Sequence, residues 1–212
     1  MTYKPAREIK PKHYGYRGKE PFFKNGSMVH WDSFLERNFI RLADFDPNVE
    51  ELYHQPVCIH YMTGGKQLRY YPDFKMILNN NQTVIVEVKP EAFLNHPKNL
   101  IKYEVGKKYC EERGWLYQVY TEIEINPSYL QWNLSLLRHL GTQDFNDKDS
   151  DYILEQLQKK TESAMIHLRK DCHLIDEQVF YSNLYNLIYL QEIKVDLVKE
   201  KLNDYSILRM VL

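Results

Sequence analysis

The sequence has no long apolar run: no stretch approaches the length of a membrane span, and the first residues lack the apolar core of a secretion signal. That leaves an intracellular protein as the expectation. Cysteine is scarce. Cys58, Cys110 and Cys172 are odd in number and far apart, which argues against a disulfide framework and against a paired-cysteine metal site, and suits a reducing cytoplasm. An excess of one charge is missing too: 28 basic and 29 acidic residues give a net charge of -1, so the chain as a whole carries no nucleic-acid signature. Neither an internal repeat nor a low-complexity segment stands out.

What is present suffices for a core. With 43% hydrophobic residues in 212, the chain can form one large domain or a main domain with a small appendage. Residues 1–24 concentrate Lys4, Arg7, Lys10, Lys12, Arg17, Lys19 and Lys24 against Glu8 and Glu20. This basic arm reads equally as a segment lying along phosphates or as a solvated terminus.

Residues 31–45, WDSFLERNFIRLADF, set Trp31, Phe34, Leu35, Phe39, Leu42 and Phe45 at roughly helical spacing, with Asp32 or Ser33 as cap. A strand over residues 52–62 follows, broken by Pro56, then a Gly64-Gly65 turn, a returning strand over 68–78 and its partner over 83–89. Residues 97–113 are periodic and stop at Gly114, and WLYQVYTE reads as a last strand joined by a crossover. The expected fold is α/β, a mixed sheet flanked by helices, over residues 25–125. From residue 126 the pattern changes to short helical stretches and apolar pieces, so 126–212 reads as a small, mostly helical domain for which a winged helix is one candidate.

Two places pair charge with apparent burial. Asp73 follows Pro72 at the start of a strand, and Glu87 and Lys89, two apart in VIVEVKP, point to one face of the next. If the strands form a hairpin, Asp73 faces them. Two carboxylates at one place repel unless a cation lies between, and a sparse all-oxygen site, with the Val88 carbonyl as a further donor, suits Mg²⁺ or Mn²⁺. Lys89 would then orient a water or stabilise charge on a phosphate. Glu36, on the first helix with Leu35, Phe39 and Leu42, adds a third carboxylate that faces the sheet if the apolar stripe is wide, a place where charge is costly without a partner.

These residues carry a resemblance. YPDF followed by VIVEVKP looks like the PD-(D/E)XK motif of restriction-endonuclease-like nucleases, and SFLERNFIRLADFDPNVEELYHQPVCIHY leading into RYYPDF is similar to the N-terminal domain of the TnsA family. The resemblance covers about residues 20–125. It implies a metal-dependent DNA endonuclease, the subunit of a heteromeric bacterial transposase that cuts the 5′ side of each transposon end while TnsB cuts the 3′ side. It also implies a site of Glu36, Asp73, Glu87 and Lys89, with metal ligands Glu36, Asp73, Glu87 and Val88. Some family members carry Gln where this chain has Glu87. The partners implied are duplex DNA, TnsB, and the ATPase TnsC, which the family contacts through its C-terminal part, here 126–212. The place of action would be the bacterial cytoplasm, at the nucleoid.

Blander readings stand beside these. Glu87 and Lys89 also fit an exposed same-face ion pair, although apolar residues on both faces of that strand argue for cover. Gln55 fits a recurrent family feature or a turn-side hydrogen bond. His54 and His60 lack the company of a metal site. Lys98 and Lys102 read as solvated helix lysines or phosphate contacts, and Tyr70, Tyr71, Phe74, Trp115, Tyr117 and Tyr120 as core packing. Two further functions compete: a stand-alone restriction or repair endonuclease, for which no sequence-reading surface is evident, and a non-catalytic DNA-binding or assembly module.

Overall fold

The computed structural model describes residues 3–7, 16–140 and 145–211. The chain divides into two compact units, residues 1–126 and 127–212.

The first unit opens with a hairpin, β1 (Gly18–Phe22) and β2 (Ser27–Trp31), turned at Gly26, whose φ of 63° is one that glycine adopts without strain. Helix α1 (Phe34–Phe45) starts at Ser33, whose hydroxyl accepts the Glu36 N–H, and buries Phe39, Ile40 and Ala43. Then come β3 (Val49–His54), β4 (Ile59–Thr63), β5 (Lys66–Tyr70), β6 (Phe74–Leu78), β7 (Thr83–Val88), α2 (Pro97–Glu111), β8 (Leu116–Tyr120) and the short α3 (Glu122–Ile125). The main sheet has the order β3-β6-β7-β8, with β7 and β8 parallel and the other pairs antiparallel. A parallel neighbour needs a crossover, and α2 supplies it.

Alternation sorts the sheet into two faces. Leu52, Phe74, Met76, Val84, Val86 and Val88 join Phe39, Ile40 and Ala43 of α1 in one core, where each fully buried large side chain contributes roughly 1.5–3 kcal/mol. The other face meets α2 through Tyr103, Gly106 and Cys110. Covered on both sides, β7 is buried along almost its whole length.

Two expectations change here. The strand expected over 52–62 and its return over 68–78 are four strands in two sheets. Gln55, at φ 48°, and Pro56 end β3, Pro72 separates β5 from β6, and β4 and β5 pair with each other as a separate ribbon. Part of the basic arm is also structural. Residues 18–22 form β1, Arg17 and Arg7 pair with Asp32 at 2.7 and 3.3 Å, and Lys24 Nζ donates to the carbonyls of Asp46 and of Val49 (2.8 Å). Glu8, Lys10 and Lys12 lie outside the described residues.

The second unit comprises α4 (Leu130–Leu140), α5 (Asp147–Gln158), β9 (Glu162–Ala164), α6 (Met165–Asp171), α7 (Glu177–Tyr189), β10 (Ile193–Lys194) and β11 (Ile207–Met210). β11 lies between β9 and β10, antiparallel to both. From α5 onward this helix, strand, two helices and two strands, with a long excursion over 195–206 before the last strand, has the winged-helix order. Beyond α5 the chain turns at Thr161, φ 66°, into β9. Leu134, Leu137, Ile153, Leu157, Phe180 and Leu184 fill the core. Asn133, fully buried, donates to the carbonyls of Leu197 and Glu200 at 2.8 Å each and accepts the Leu202 N–H at 2.9 Å, which ties the wing to α4. Among the described residues no helix is long and apolar enough to cross a membrane.

Candidate active site

The site forms where β6 begins and β7 ends. The antiparallel register pairs Phe74 with Val86, and one step further it sets Asp73 opposite Glu87, on the face away from α1. Asp73 Oδ2 accepts the Val88 N–H at 2.9 Å, and the Asp73 carbonyl accepts the Gln55 N–H at 2.8 Å, so both its backbone and its side chain are held. Glu87 is 3% exposed, and its Oε1 lies 3.2 Å from Lys89 Nζ. Lys89 in turn is fixed by its N–H to the Tyr120 carbonyl, 2.9 Å.

The electrostatics describe a shortage of positive charge. Asp73 keeps some exposed surface, yet its carboxyl is enclosed: burial first, then the charges of Glu87 and Glu36, raise its pKa well above the usual carboxylate range, against the Val88 hydrogen bond and Lys89. Burial alone would lower the Lys89 pKa, but Glu87 and Asp73 outweigh it and raise it, so the ammonium persists. One lysine serves several carboxylates.

Glu36 reaches this cluster from α1, on the opposite layer of the sheet. Burial, aided by the charge of Asp32, raises its pKa, while Lys89 and the hydrogen bonds it accepts oppose the rise. Both oxygens are engaged at the start of its own helix: Oε2 accepts the Asp32 N–H at 2.7 Å and Oε1 the Ser33 hydroxyl at 3.1 Å. The cap is Ser33, whose hydroxyl also accepts the Glu36 N–H, while the carboxylate reaches past it to the N–H of Asp32. Among the described residues no group of three or more His, Cys, Asp or Glu side chains is gathered closely enough to hold a metal ion. Asp73 and Glu87 with the Val88 carbonyl still fit a hard divalent cation by donor type. Mg²⁺ is commonly held by one or two carboxylates, with waters and substrate phosphates completing the shell.

Other residues singled out in the sequence fall as follows. Gln55 is buried beside Asp73, its backbone bracing that residue and its Oε1 without a hydrogen-bond partner. His54 is buried and stacked on His30 at 4.7 Å, and His60 is exposed. Lys98 is exposed, whereas Lys102 lies over the ring of Tyr70, 5.7 Å from its centroid. Tyr103 escaped the sequence reading: its buried hydroxyl has no hydrogen-bond partner, and burial followed by the charge of Glu87 raises its pKa.

A mixed sheet between helices, with a carboxylate pair and a lysine at the end of its most buried strand, defines the class: a restriction-endonuclease-like fold. Residues 46–122 match the family model described as TnsA-like endonuclease N terminal, and that segment takes in Asp73, Glu87, Val88 and Lys89 but not Glu36. The chain thus contains a segment similar to the TnsA-like endonuclease domain, in agreement with the resemblance read from the sequence. No curated protein matches the chain.

Proposed function

We propose that this protein is the metal-dependent DNA endonuclease subunit of a heteromeric transposase, cutting the 5′ side of transposon ends in cut-and-paste transposition. The observation that carries the proposal is the enclosed Asp73 carboxyl set opposite Glu87, with Lys89 alongside, inside the segment matched by the TnsA-like model. Asp73, Glu87 and the Val88 carbonyl are the residues to hold Mg²⁺ or Mn²⁺. The bound cation would supply charge neutralisation at the scissile phosphate and a more acidic water. Lys89, kept protonated by its carboxylate neighbours, presents an ammonium to the attacking water or to the charge developing on the phosphate. Glu36 holds the start of α1 and adds negative potential from the far layer. TnsB is the proposed partner for the opposite strand, and residues 126–212 are the proposed surface for TnsC.

The test is strand-specific cleavage of a labelled duplex transposon end with Mg²⁺ and TnsB, comparing the native chain with Asp73→Ala. Cuts at the 5′ side that vanish in the variant are expected. If both proteins leave that strand intact while still joining the complex, the chain is an assembly module and not a nuclease.

A further inference from the structure

Tyr70 and Tyr117 read in the sequence as packing residues, but their hydroxyls are directed at the site. Tyr70, at the end of β5, is 2% exposed, and its hydroxyl donates to Glu87 Oε2 at 2.8 Å. The Tyr117 hydroxyl, from β8, lies 2.7 Å from that of Tyr70. A phenol has one proton, and Tyr70 gives its own to Glu87, so Tyr117 is the donor in the second bond. The chain of bonds therefore has one direction, from Tyr117 through Tyr70 to Glu87.

A third element makes room for it. The ring of Tyr117 lies so close to α2 that a Cβ on Gly106 would fall 2.3 Å from its Cε2. Any larger residue at 106 displaces the ring that carries the first hydroxyl. Apolar residues would fill this interface between helix and sheet without two phenols to desolvate, so the tyrosines are explained by the carboxylate they serve. Their bond takes up Oε2, while Oε1 faces Lys89.

We infer that Tyr117 and Tyr70 are positioning residues: their hydrogen-bond relay, admitted by Gly106, fixes Glu87 as a one-oxygen ligand and biases the site toward Mg²⁺ or Mn²⁺ over Ca²⁺. The inference rests on the metal-dependent reading above. Ca²⁺ accepts a carboxylate through both oxygens and tolerates irregular shells, whereas Mg²⁺ requires near-octahedral single-oxygen donors. Removing the Tyr70 hydroxyl leaves the aromatic packing and releases Oε2.

The test uses the full chain and its Tyr70→Phe, Tyr117→Phe and double variants. Mn²⁺ binding is followed by electron paramagnetic resonance, with displacement by Mg²⁺ or Ca²⁺, and the Ca²⁺ concentration that inhibits Mg²⁺-driven cleavage is measured alongside. Tyr70→Phe is expected to shift the Ca²⁺-to-Mg²⁺ preference about tenfold toward Ca²⁺, in the range of changes behind a metal ligand. Tyr117→Phe should shift it less, and the double variant no further than Tyr70→Phe, because the two act in series. An unchanged preference in Tyr70→Phe, with the native chain binding Mn²⁺ normally, overturns the relay alone. Additive effects in the double variant overturn the serial arrangement. A native chain that binds no metal and cleaves nothing overturns the metal-dependent reading and the relay with it.

Discussion

The two units bury polar groups in opposite ways. In the second, Asn133 has both amide protons and its oxygen matched to backbone partners, and Asn183 accepts from Ser150 and from the Asn146 N–H while donating to the Val179 carbonyl. Neutral amides with their bonds made stabilise and specify a fold. In the first unit Asp73 and Glu87 face each other across a strand pair with Lys89 as the shared cation, an arrangement that opposes folding until charge is supplied. Depth of burial does not separate the two sets. Whether their bonding and charge are balanced does.

The contrast predicts opposite signs for similar truncations. Asp73→Asn keeps an acceptor for Val88 but removes a charge. Cleavage should fall roughly a thousandfold in single-turnover assays, while the denaturation midpoint of the first unit rises, since the repulsion from Glu87 and Glu36 is gone. A variant less stable than the native chain would break the comparison. Asn133→Ala should do the reverse, leaving cleavage chemistry in place and costing the second unit about 3 kcal/mol through three lost bonds at a buried site. Amide exchange should speed up across residues 195–206, and unaltered protection there would remove Asn133 as the anchor of the wing.

His54 sharpens the comparison through pH. Burial, then His30 and Lys19, lowers its pKa from 6.5 to about 4. The unfolded chain therefore binds a proton below its ordinary value that the folded chain refuses. The stability this ring contributes is full above pH 6.5 and is lost as pH falls toward 4. Denaturation of the native chain and of His54→Gln at pH 7 and 5 should differ by about 1–2 kcal/mol more in the native chain, once solvent near the ring is allowed for. The smallest effect is expected for Glu162→Gln, which removes the exposed pair with Arg209 at 2.8 Å and should move the midpoint by less than about 1 kcal/mol.

Much of the first unit was legible because its signals are local. The apolar stripe with Ser33 as cap gives α1, Pro97 and Gly114 bracket α2, and the β-branched run gives β7. The β4–β5 ribbon was not, because Gln55 in a left-handed conformation and the two prolines redirect strands whose alternation alone looks continuous. β1 was hidden in a segment dominated by its charge, although Asn25-Gly26 is a hairpin signal. At the site, residue type and spacing suggested Asp73, Glu87 and Lys89, since strand register follows from period two. The hydroxyls of Tyr70 and Tyr117 did not emerge, because nothing in a sequence says that a buried tyrosine meets a carboxylate 17 residues away or another phenol 47 residues away.

Glu36 is bound to two obligations, the first turn of its helix and the potential at the site. Selection would lift these separately. Under the proposed function, a lineage released from cutting DNA would gain from losing the repulsion between Asp73 and Glu87, which favours replacement of either. Glu36 would persist, because the helix still has to begin. A glutamate at this position is therefore a poor witness to the proposed cleavage among related genes, and Asp73 a good one.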